Sequence, residues 1–205
     1  MYTQNSEEQV ILDYFGKTKL TVSPFRLLSV GENDGITFSN SRALIEAGWN
    51  AILVEPSPKA FKKLSELYKD SAYVFAIEAA IGTETGKMIL HDSNEHCGAH
   101  GLLSTLIPDE KKRWEGSQTF EETEVQCYSW KDFHSIVGNP KFDFISIDAE
   151  GMDYDILSQM DLKALGCKMV VVEHNGKEIE KYIDYCSKLG MHELVRNAEN
   201  LIMAI

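Results

Sequence analysis

Acidic side chains gather at the ends of two apolar segments of this chain. Residues 145–151 read Ile-Ser-Ile-Asp-Ala-Glu-Gly, which places Asp148 and Glu150 directly after a buried run. A second apolar run ends in Glu173 and His174. A carboxylate or imidazole there can act as a general base, while a neighbouring carboxylate binds or orients a substrate. Asp148, Glu150 and His174 are therefore the candidate catalytic residues, although Glu150 could instead cap the next helix and His174 could be a structural strand-end histidine.

A glycine-containing loop follows the first apolar run. It reads Gly-Glu-Asn-Asp-Gly from Gly31 to Gly35 and precedes a helical pattern. Glycine lets a backbone turn tightly and approach a ligand, and the start of a helix offers free N–H groups. The G-x-G-x-x-G spacing of dinucleotide-binding loops is absent, and the acidic and amide side chains would repel a pyrophosphate. The loop favours a ligand with a cationic or zwitterionic head.

Glu55 ends the next apolar run and lies 24 residues after Gly31. An acid about 20 residues beyond a glycine turn, at the tip of the second strand, accepts hydrogen bonds from the hydroxyls of a ribose. This spacing predicts a nucleoside ligand. Glu55 could instead cap the helix that begins near Ser57 and Pro58.

The segments that must position these residues alternate between short apolar runs, typical of buried strands, and apolar residues at helical spacing. Short apolar runs predict five strands, at residues 26–30, 51–54, 73–77, 142–147 and 169–173. Helical spacing predicts a leading helix capped by Ser6 and Gln9, then helices at residues 38–48, 59–68, 154–160 and 177–189. Residues 191–195 and 201–205 form a hairpin pattern. The prediction is an α/β fold, a doubly wound and mostly parallel sheet with a C-terminal antiparallel hairpin, in a three-layer sandwich.

One long interruption separates the third and fourth strands. We expect a single domain over residues 1–205 with an insertion at about residues 92–124, and an insertion of this length is more often functional than idle. It contains histidines and a cysteine, which are ligand types for zinc, but their spacing matches no standard finger and no metal site is predicted. The residues in question are His91, His96, Cys97 and His100.

The composition restricts the classes of partner. The chain has 205 residues, with 20 Lys and Arg against 32 Asp and Glu, for a net charge of −12. Nucleic-acid affinity comes mainly from clustered basic residues, so a nucleic-acid partner is not expected.

Compartment signals are sparse. The four cysteines show no C-x-x-C pair, which favours reduced thiols. The first residues carry Glu7 and Glu8 where a signal peptide has basic residues, and no apolar run reaches the length of a membrane span. We expect a cytoplasmic protein without a membrane partner; the oligomeric state is open.

Five segments, in this order, resemble the FkbM family of S-adenosylmethionine-dependent methyltransferases. They are residues 28–35, 54–56, 78–82, 145–151 and 171–174. The resemblance runs from about residue 26 to 175, and its most specific part is the Asp-x-Glu-Gly run with the following Ile156 and Leu157. It implies a class I, Rossmann-like methyltransferase fold and S-adenosylmethionine as cofactor.

The resemblance also implies roles for individual residues. Gly31, Asn33 and Gly35 match the loop around the methionine part of the cofactor. Glu55 matches the ribose-binding acid, and Asp148 matches the strand-four acid near the reacting methyl group.

Three further matches concern the adenine, the insertion and the first strand. Glu78, Ala79 and Ala80 match the segment beside the adenine, and residues 103–106 match a short serine-rich block. The family usually has aspartate where this chain has Ser29 and alanine where it has Glu32. Glu32 could take over the contact with the ammonium group of the cofactor.

The leading hypothesis is an S-adenosylmethionine-dependent methyltransferase that methylates a hydroxyl of a small molecule or carbohydrate. A nicotinamide-dependent reductase would share the fold and the ribose acid but lacks the spaced glycines. A third hypothesis, prompted by Ser29, is a non-catalytic interaction module that keeps the cofactor fold.

Overall fold

The structure, a computed structural model, describes residues 1–16 and 25–205. The strands in chain order are β1 (Arg26–Val30), β2 (Asn50–Glu55), β3 (Val74–Glu78), β4 (Ala80–Gly82), β5 (Gly86–Ser93), β6 (Glu95–His96), β7 (Ala99–His100), β8 (Phe120–Ser129), β9 (Phe144–Ile147), β10 (Met169–Glu173), β11 (His192–Arg196) and β12 (Asn200–Ala204). The helices are α1 (Glu7–Phe15), α2 (Arg42–Glu46), α3 (Pro58–Tyr68), α4 (Trp130–Ile136), α5 (Asp153–Leu157), α6 (Leu162–Leu165) and α7 (Ile179–Lys188), and a 3-10 helix spans Pro108–Trp114.

Within these residues, seven strands form the central sheet in the order β3-β2-β1-β9-β10-β12-β11. The pairs β3-β2, β2-β1, β1-β9 and β9-β10 are parallel, whereas β12 runs antiparallel to both of its neighbours. The chain moves outward from β1 to β3 and then returns to the other side of β1 with β9. This reversal is the point where open α/β sheets bind ligands. The doubly wound sheet with a closing antiparallel hairpin is confirmed.

Side chains of the central strands alternate between two cores, one on each face of the sheet. Leu28 and Val30 belong to the core that α4 to α7 cover, whereas Leu27 and Leu53 belong to the core that α1 to α3 cover. Strands buried on both faces read as continuous apolar runs, which explains why the sequence reveals them. No helix in the two described ranges has the length and apolar character needed to cross a bilayer.

The insertion is held by a second, smaller sheet. Strand β8 pairs in parallel with β4 and antiparallel with β5, so the ribbon that holds the insertion starts at Gly86. The short hairpin of β6 and β7 and the 3-10 helix lie between β5 and β8. The ribbon thereby carries the insertion toward the carboxyl edge of the central sheet.

Two predicted local features differ from the structure. Ser6 precedes α1 but adopts a left-handed conformation (φ 71°) and makes no side-chain cap, so the capping box with Gln9 is wrong. The helix predicted over residues 38–48 is reduced to α2, because Ser39 and Ser41 turn their hydroxyls to a buried carboxylate instead of continuing a helix.

Gly31 allows the ends of β1 and β9 to meet. Its φ is +77°, and a Cβ there would overlap the carbonyl oxygen of Asp148 and lie 2.9 Å from its carbonyl carbon. Both atoms belong to backbone, which cannot swing away as a flexible side chain would. The ends of β1 and β9 can therefore approach this closely only because residue 31 has no side chain.

We expect Gly31→Ala to lower the free energy of unfolding by more than about 3 kcal/mol, from left-handed strain together with the steric overlap. Urea unfolding followed by circular dichroism measures the change. Gly86→Ala is the matched control, because a Cβ at Gly86 meets nothing within 4 Å. Equal stability of the two variants would contradict the assigned role of Gly31.

Candidate functional site

The main cavity opens at the carboxyl edge of the sheet, above the reversal between β1 and β9, and has a volume of about 260 Å³. The sheet register explains which residues reach it. Val30 pairs with Val54 on one side and Ile147 on the other, and Ile147 pairs with Val172. The next residue on each strand forms a row that lines the cavity, and this row consists of Gly31, Glu55, Asp148 and Glu173.

Glu55 is held in a fixed orientation by backbone donors. The N–H of Asn33 donates to Oε2 at 2.8 Å, and the N–H of Ser57 donates to Oε1 at 2.8 Å. Burial raises the pKa of Glu55 to about 8, with a further contribution from Asp92, although the two backbone donors lower it. Each carboxylate oxygen keeps a lone pair that can accept from a ligand hydroxyl. Glu55 therefore caps the turn at Ser57 and also faces the cavity, so the two roles do not compete.

Glu32 also lines the main cavity and contacts the turn at residues 39–41, which follows the glycine loop. Its Oε1 accepts hydrogen bonds from the hydroxyls of Ser39 and Ser41, both at 2.7 Å. Burial raises the pKa of Glu32, while hydrogen bonds from Ser29 and the other two serines lower it. Ser29, which stands where the family usually has an acid, thus supports the neighbouring acid in this chain.

The Asp-x-Glu-Gly turn is shaped by Asp153, which the sequence analysis did not identify. Its carboxylate accepts from the N–H groups of Ala149 at 2.7 Å and Gly151 at 3.0 Å. Between them Glu150 adopts a left-handed conformation with φ 46°, which is uncommon for a residue with a side chain. An acid five residues after Asp148 at the start of the next helix is the sequence signal that could have revealed this role.

Three carboxylates converge beside this turn. Asp148, Glu150 and Glu173 each place an oxygen within 4.8 Å of the others, and they are named here the acidic trio. Burial, followed by repulsion from Asp153 and Glu32, raises the pKa of Asp148 to about 7. Burial and repulsion from Asp148 also raise the pKa values of the other two carboxyls well above the usual range.

The insertion closes the cavity and is tied to the strand ends. The amide nitrogen of Asn33 donates to the carbonyl oxygen of His100 at 2.8 Å, and the hydroxyl of Thr105 donates to the carbonyl oxygen of Glu150 at 2.7 Å. Arg113 and Trp114 of the 3-10 helix also line the cavity. They reach it because the ribbon brings distant parts of the chain together.

Most of the predicted cofactor residues line this cavity. They are Gly31, Glu32, Asn33, Glu55, Ala79, Ala80 and Asp148. Two others do not. Gly35 packs against α3, where a Cβ would lie 2.8 Å from Leu64, and Glu78 is exposed at the end of β3.

The structure separates the three candidate catalytic residues. Asp148 and Glu150 line the main cavity, whereas His174 lines a second cavity of about 190 Å³ with Asp153 and Lys177. His174 lies just past the end of β10 and does not line the main cavity, whereas Glu173 does. His174 accepts a hydrogen bond at Nδ1 from the N–H of Gly176 at 2.8 Å.

The histidines and the cysteine of the insertion do not converge. Among the residues that the structure describes, the acidic trio is the one group of three or more His, Cys, Asp or Glu side chains close enough to share an ion. His96 instead packs against Trp114, with ring centroids 5.5 Å apart.

Comparison with known proteins adds independent findings. The family model described as "Methyltransferase FkbM domain" matches residues 29–192. A search of curated proteins finds no match. A crystal structure of a methyltransferase FkbM from Methylobacillus flagellatus KT is 10% identical with a TM-score of 0.56, over 88% of this chain and 43% of that one. This chain therefore spans less than half of that protein's length.

A precorrin-6y C5,15-methyltransferase from Geobacter metallireducens GS-15 is 12% identical with a TM-score of 0.49, over 99% of this chain and 92% of that one. At such identities the structural likeness concerns the fold alone. The family match covers most of the chain and confirms the resemblance seen in the sequence. The chain belongs to the FkbM methyltransferase domain family.

Proposed function

We propose that the protein transfers a methyl group from S-adenosylmethionine to a hydroxyl oxygen of a small molecule or carbohydrate. The observation that carries the proposal is Glu55, whose two carboxylate oxygens are fixed by backbone N–H groups at the tip of β2 and face the main cavity. Two adjacent ribose hydroxyls can each donate to one of these oxygens.

The rest of the cavity fits the same cofactor. Gly31, Asn33 and Glu32 surround the space for the methionine part, and the buried Ala79 and Ala80 offer a flat apolar wall for the adenine. The Oδ1 atom of Asn33 is buried without a hydrogen-bond partner among the described residues, so it is available to a ligand donor. Glu32 can accept a hydrogen bond from the ammonium group of the cofactor. This is the role of the acid that the family usually has where this chain has Ser29.

When bound, the cofactor supplies an electrophilic methyl group on a positively charged sulfur. The protein then has to hold an acceptor oxygen in line and take up its proton. Asp148 is the favoured base, because its pKa of about 7 leaves much of it ionised at neutral pH while its affinity for a proton stays high. Glu150 places an oxygen within 4.8 Å of it and is the second candidate for this role.

The electrostatics of the cavity restrict the acceptor. Glu32, Glu55 and the acidic trio surround a single cavity, so a phosphorylated acceptor or a pyrophosphate would meet repulsion. The negative surroundings favour a neutral hydroxyl and disfavour both a nicotinamide cofactor and a nucleic-acid substrate.

The four cysteines are unpaired, and we place the reaction in the cytoplasm, where thiols stay reduced.

Calorimetric titration with S-adenosylhomocysteine tests the cofactor directly. We expect binding, and we expect Glu55→Gln to weaken it at least about tenfold, because one ribose hydroxyl loses its charged acceptor. Glu84→Gln, which changes an exposed acid outside the cavity, is the matched control and should bind as the unchanged protein does.

Failure to bind S-adenosylhomocysteine, together with stabilisation by NADH, would replace the proposal with the reductase hypothesis. Equal affinity of Glu55→Gln and the unchanged protein would remove the ribose role from Glu55. Cofactor binding without methyl transfer to any of a broad panel of hydroxyl compounds would favour an interaction module.

Binding should also depend on pH through Glu55. In the empty cavity its pKa is about 8, and hydroxyl donors favour the ionised form, so binding below that pH must release a proton. Affinity for S-adenosylhomocysteine should therefore rise roughly tenfold between about pH 7 and pH 8.5. Calorimetry in two buffers of different ionisation enthalpy measures the released proton directly.

Glu55→Gln carries no titrating group at this position and should lose that part of the pH dependence. A variant with the full dependence of the unchanged protein would show that another group in the cavity releases the proton.

A further inference from the structure

The acidic trio brings three carboxyl groups together at a largely buried site, in which Asp148 is partly exposed. Glu150 and Glu173 are 9% and 8% exposed, and all three carboxylates have an oxygen within 4.8 Å of the others. Among the described residues, the one ion pair within 4 Å of the trio joins Glu150 to Arg113, at 3.9 Å. Arg113 also pairs with Glu110 at 3.3 Å, so its charge is shared.

Two buried oxygens, one in the trio and one on a neighbouring strand, lack partners among the described residues. Oε2 of Glu173 is one, and Oδ1 of Asn200 is the other. Asn200 is 6% exposed, and its amide nitrogen donates to Glu7 at 3.0 Å, which leaves the amide oxygen as the free end. Buried acceptors normally have a donor, so two orphans in one place indicate a missing partner.

The sheet brings these two acceptors together. Asn200 of β12 lies directly opposite Glu173 of β10 in the antiparallel register, and both residues line the main cavity. Residues that face each other across such a pair present their side chains on the same face of the sheet. Asn200 therefore adds a neutral oxygen donor beside the three carboxylates.

This donor set matches the preference of a hard divalent cation. Mg²⁺, Mn²⁺ and Ca²⁺ take carboxylate and amide oxygens at about 2.0–2.6 Å, which places ligand oxygens no more than about 4–5 Å apart. The spacing of the acidic trio falls within that range. An ammonium group would offset one of the three charges, whereas a divalent ion offsets two.

We propose that Asp148, Glu150 and Glu173, with the amide oxygen of Asn200, form a binding site for a divalent cation such as Mg²⁺ or Mn²⁺. The sequence alone predicts no metal site here, because the three carboxylates come from two strands and their convergence depends on the sheet register. The site shares the main cavity, with the metal on the side of β9 and β10 and Glu55 on the side of β2.

The consequence for catalysis rests on the proposed function. A cation held here would bind the acceptor hydroxyl and lower its pKa. The acceptor oxygen then forms its bond to the methyl carbon while the carbon–sulfur bond breaks, and the bonding electron pair stays on sulfur. The hydroxyl proton leaves to the uncoordinated oxygen of a monodentate carboxylate of the trio.

Electron paramagnetic resonance of Mn²⁺ tests the site, because the signal of free Mn²⁺ disappears as the ion binds. The full chain should bind one Mn²⁺, and excess Mg²⁺ should displace it. Glu173→Gln and Asp148→Asn should each weaken Mn²⁺ binding at least about tenfold, since each removes one charged ligand. Glu84→Gln is the matched control and should bind Mn²⁺ unchanged.

A second measurement separates a metal ligand from a structural residue. Without metal, Glu173→Gln should raise the unfolding temperature, because it removes a carboxyl that burial and its acidic neighbours keep from ionising freely, and it should abolish the further rise that Mg²⁺ produces in the unchanged protein. Absence of saturable Mn²⁺ binding to the unchanged chain, or unchanged binding by both variants, would overturn the metal site.

Titration with S-adenosylhomocysteine in the presence of a chelator keeps the two proposals apart. Cofactor binding without any Mn²⁺ binding would overturn the metal site and leave the methyltransferase proposal standing. Mn²⁺ binding without cofactor binding would support the metal site and contradict the proposed function.

Discussion

The withdrawal of several carboxyl groups from water is the main constraint on the cavity of this protein. Transfer of an ionised carboxylate into a protein interior costs several kcal/mol unless an opposite charge accompanies it. The main cavity gathers Glu32, Glu55 and the acidic trio, whose pKa values are all raised, and Arg113 is the one cation that pairs with the trio in the described chain. The empty protein bears this cost, and a positively charged ligand relieves it. On the proposed function, the arrangement that weakens the free protein is also what favours a cationic ligand.

The fold produces this concentration through backbone geometry. Parallel strands end at one edge, and the approach of β1 to β9 at Gly31 brings the two halves of the sheet close enough for their acids to share a cavity. The insertion then lines the same cavity from the other side of the strand ends. Because Asn33 and Glu150 bond to His100 and Thr105 of the insertion, the glycine loop and the turn after β9 are both tied to it.

The sequence predicts what depends on local pattern and on the topology of parallel sheets. The apolar runs of β1 and β10 are recognisable because both faces are buried, and the positions of Glu55 and Asp148 follow from the rule that ligands bind at carboxyl ends. Other features depend on contacts between distant residues. Gly35 packs against α3, a contact that no spacing reveals. Likewise, Glu173 rather than His174 faces the main cavity, which requires knowledge of which side of β10 the cavity lies on.

The last strand contributes to the cavity from outside the residues that the family model matches. The family match ends at residue 192, yet Asn200 of β12 forms part of the cavity wall beyond it. β12 is joined to the sheet by regular backbone hydrogen bonds, and the amide nitrogen of Asn200 also holds the buried Glu7 at the start of α1. This side of the cavity wall therefore rests on β12 and α1, which both lie outside the residues that the family model matches. A change at position 200 would alter the cavity wall and the attachment of α1 together.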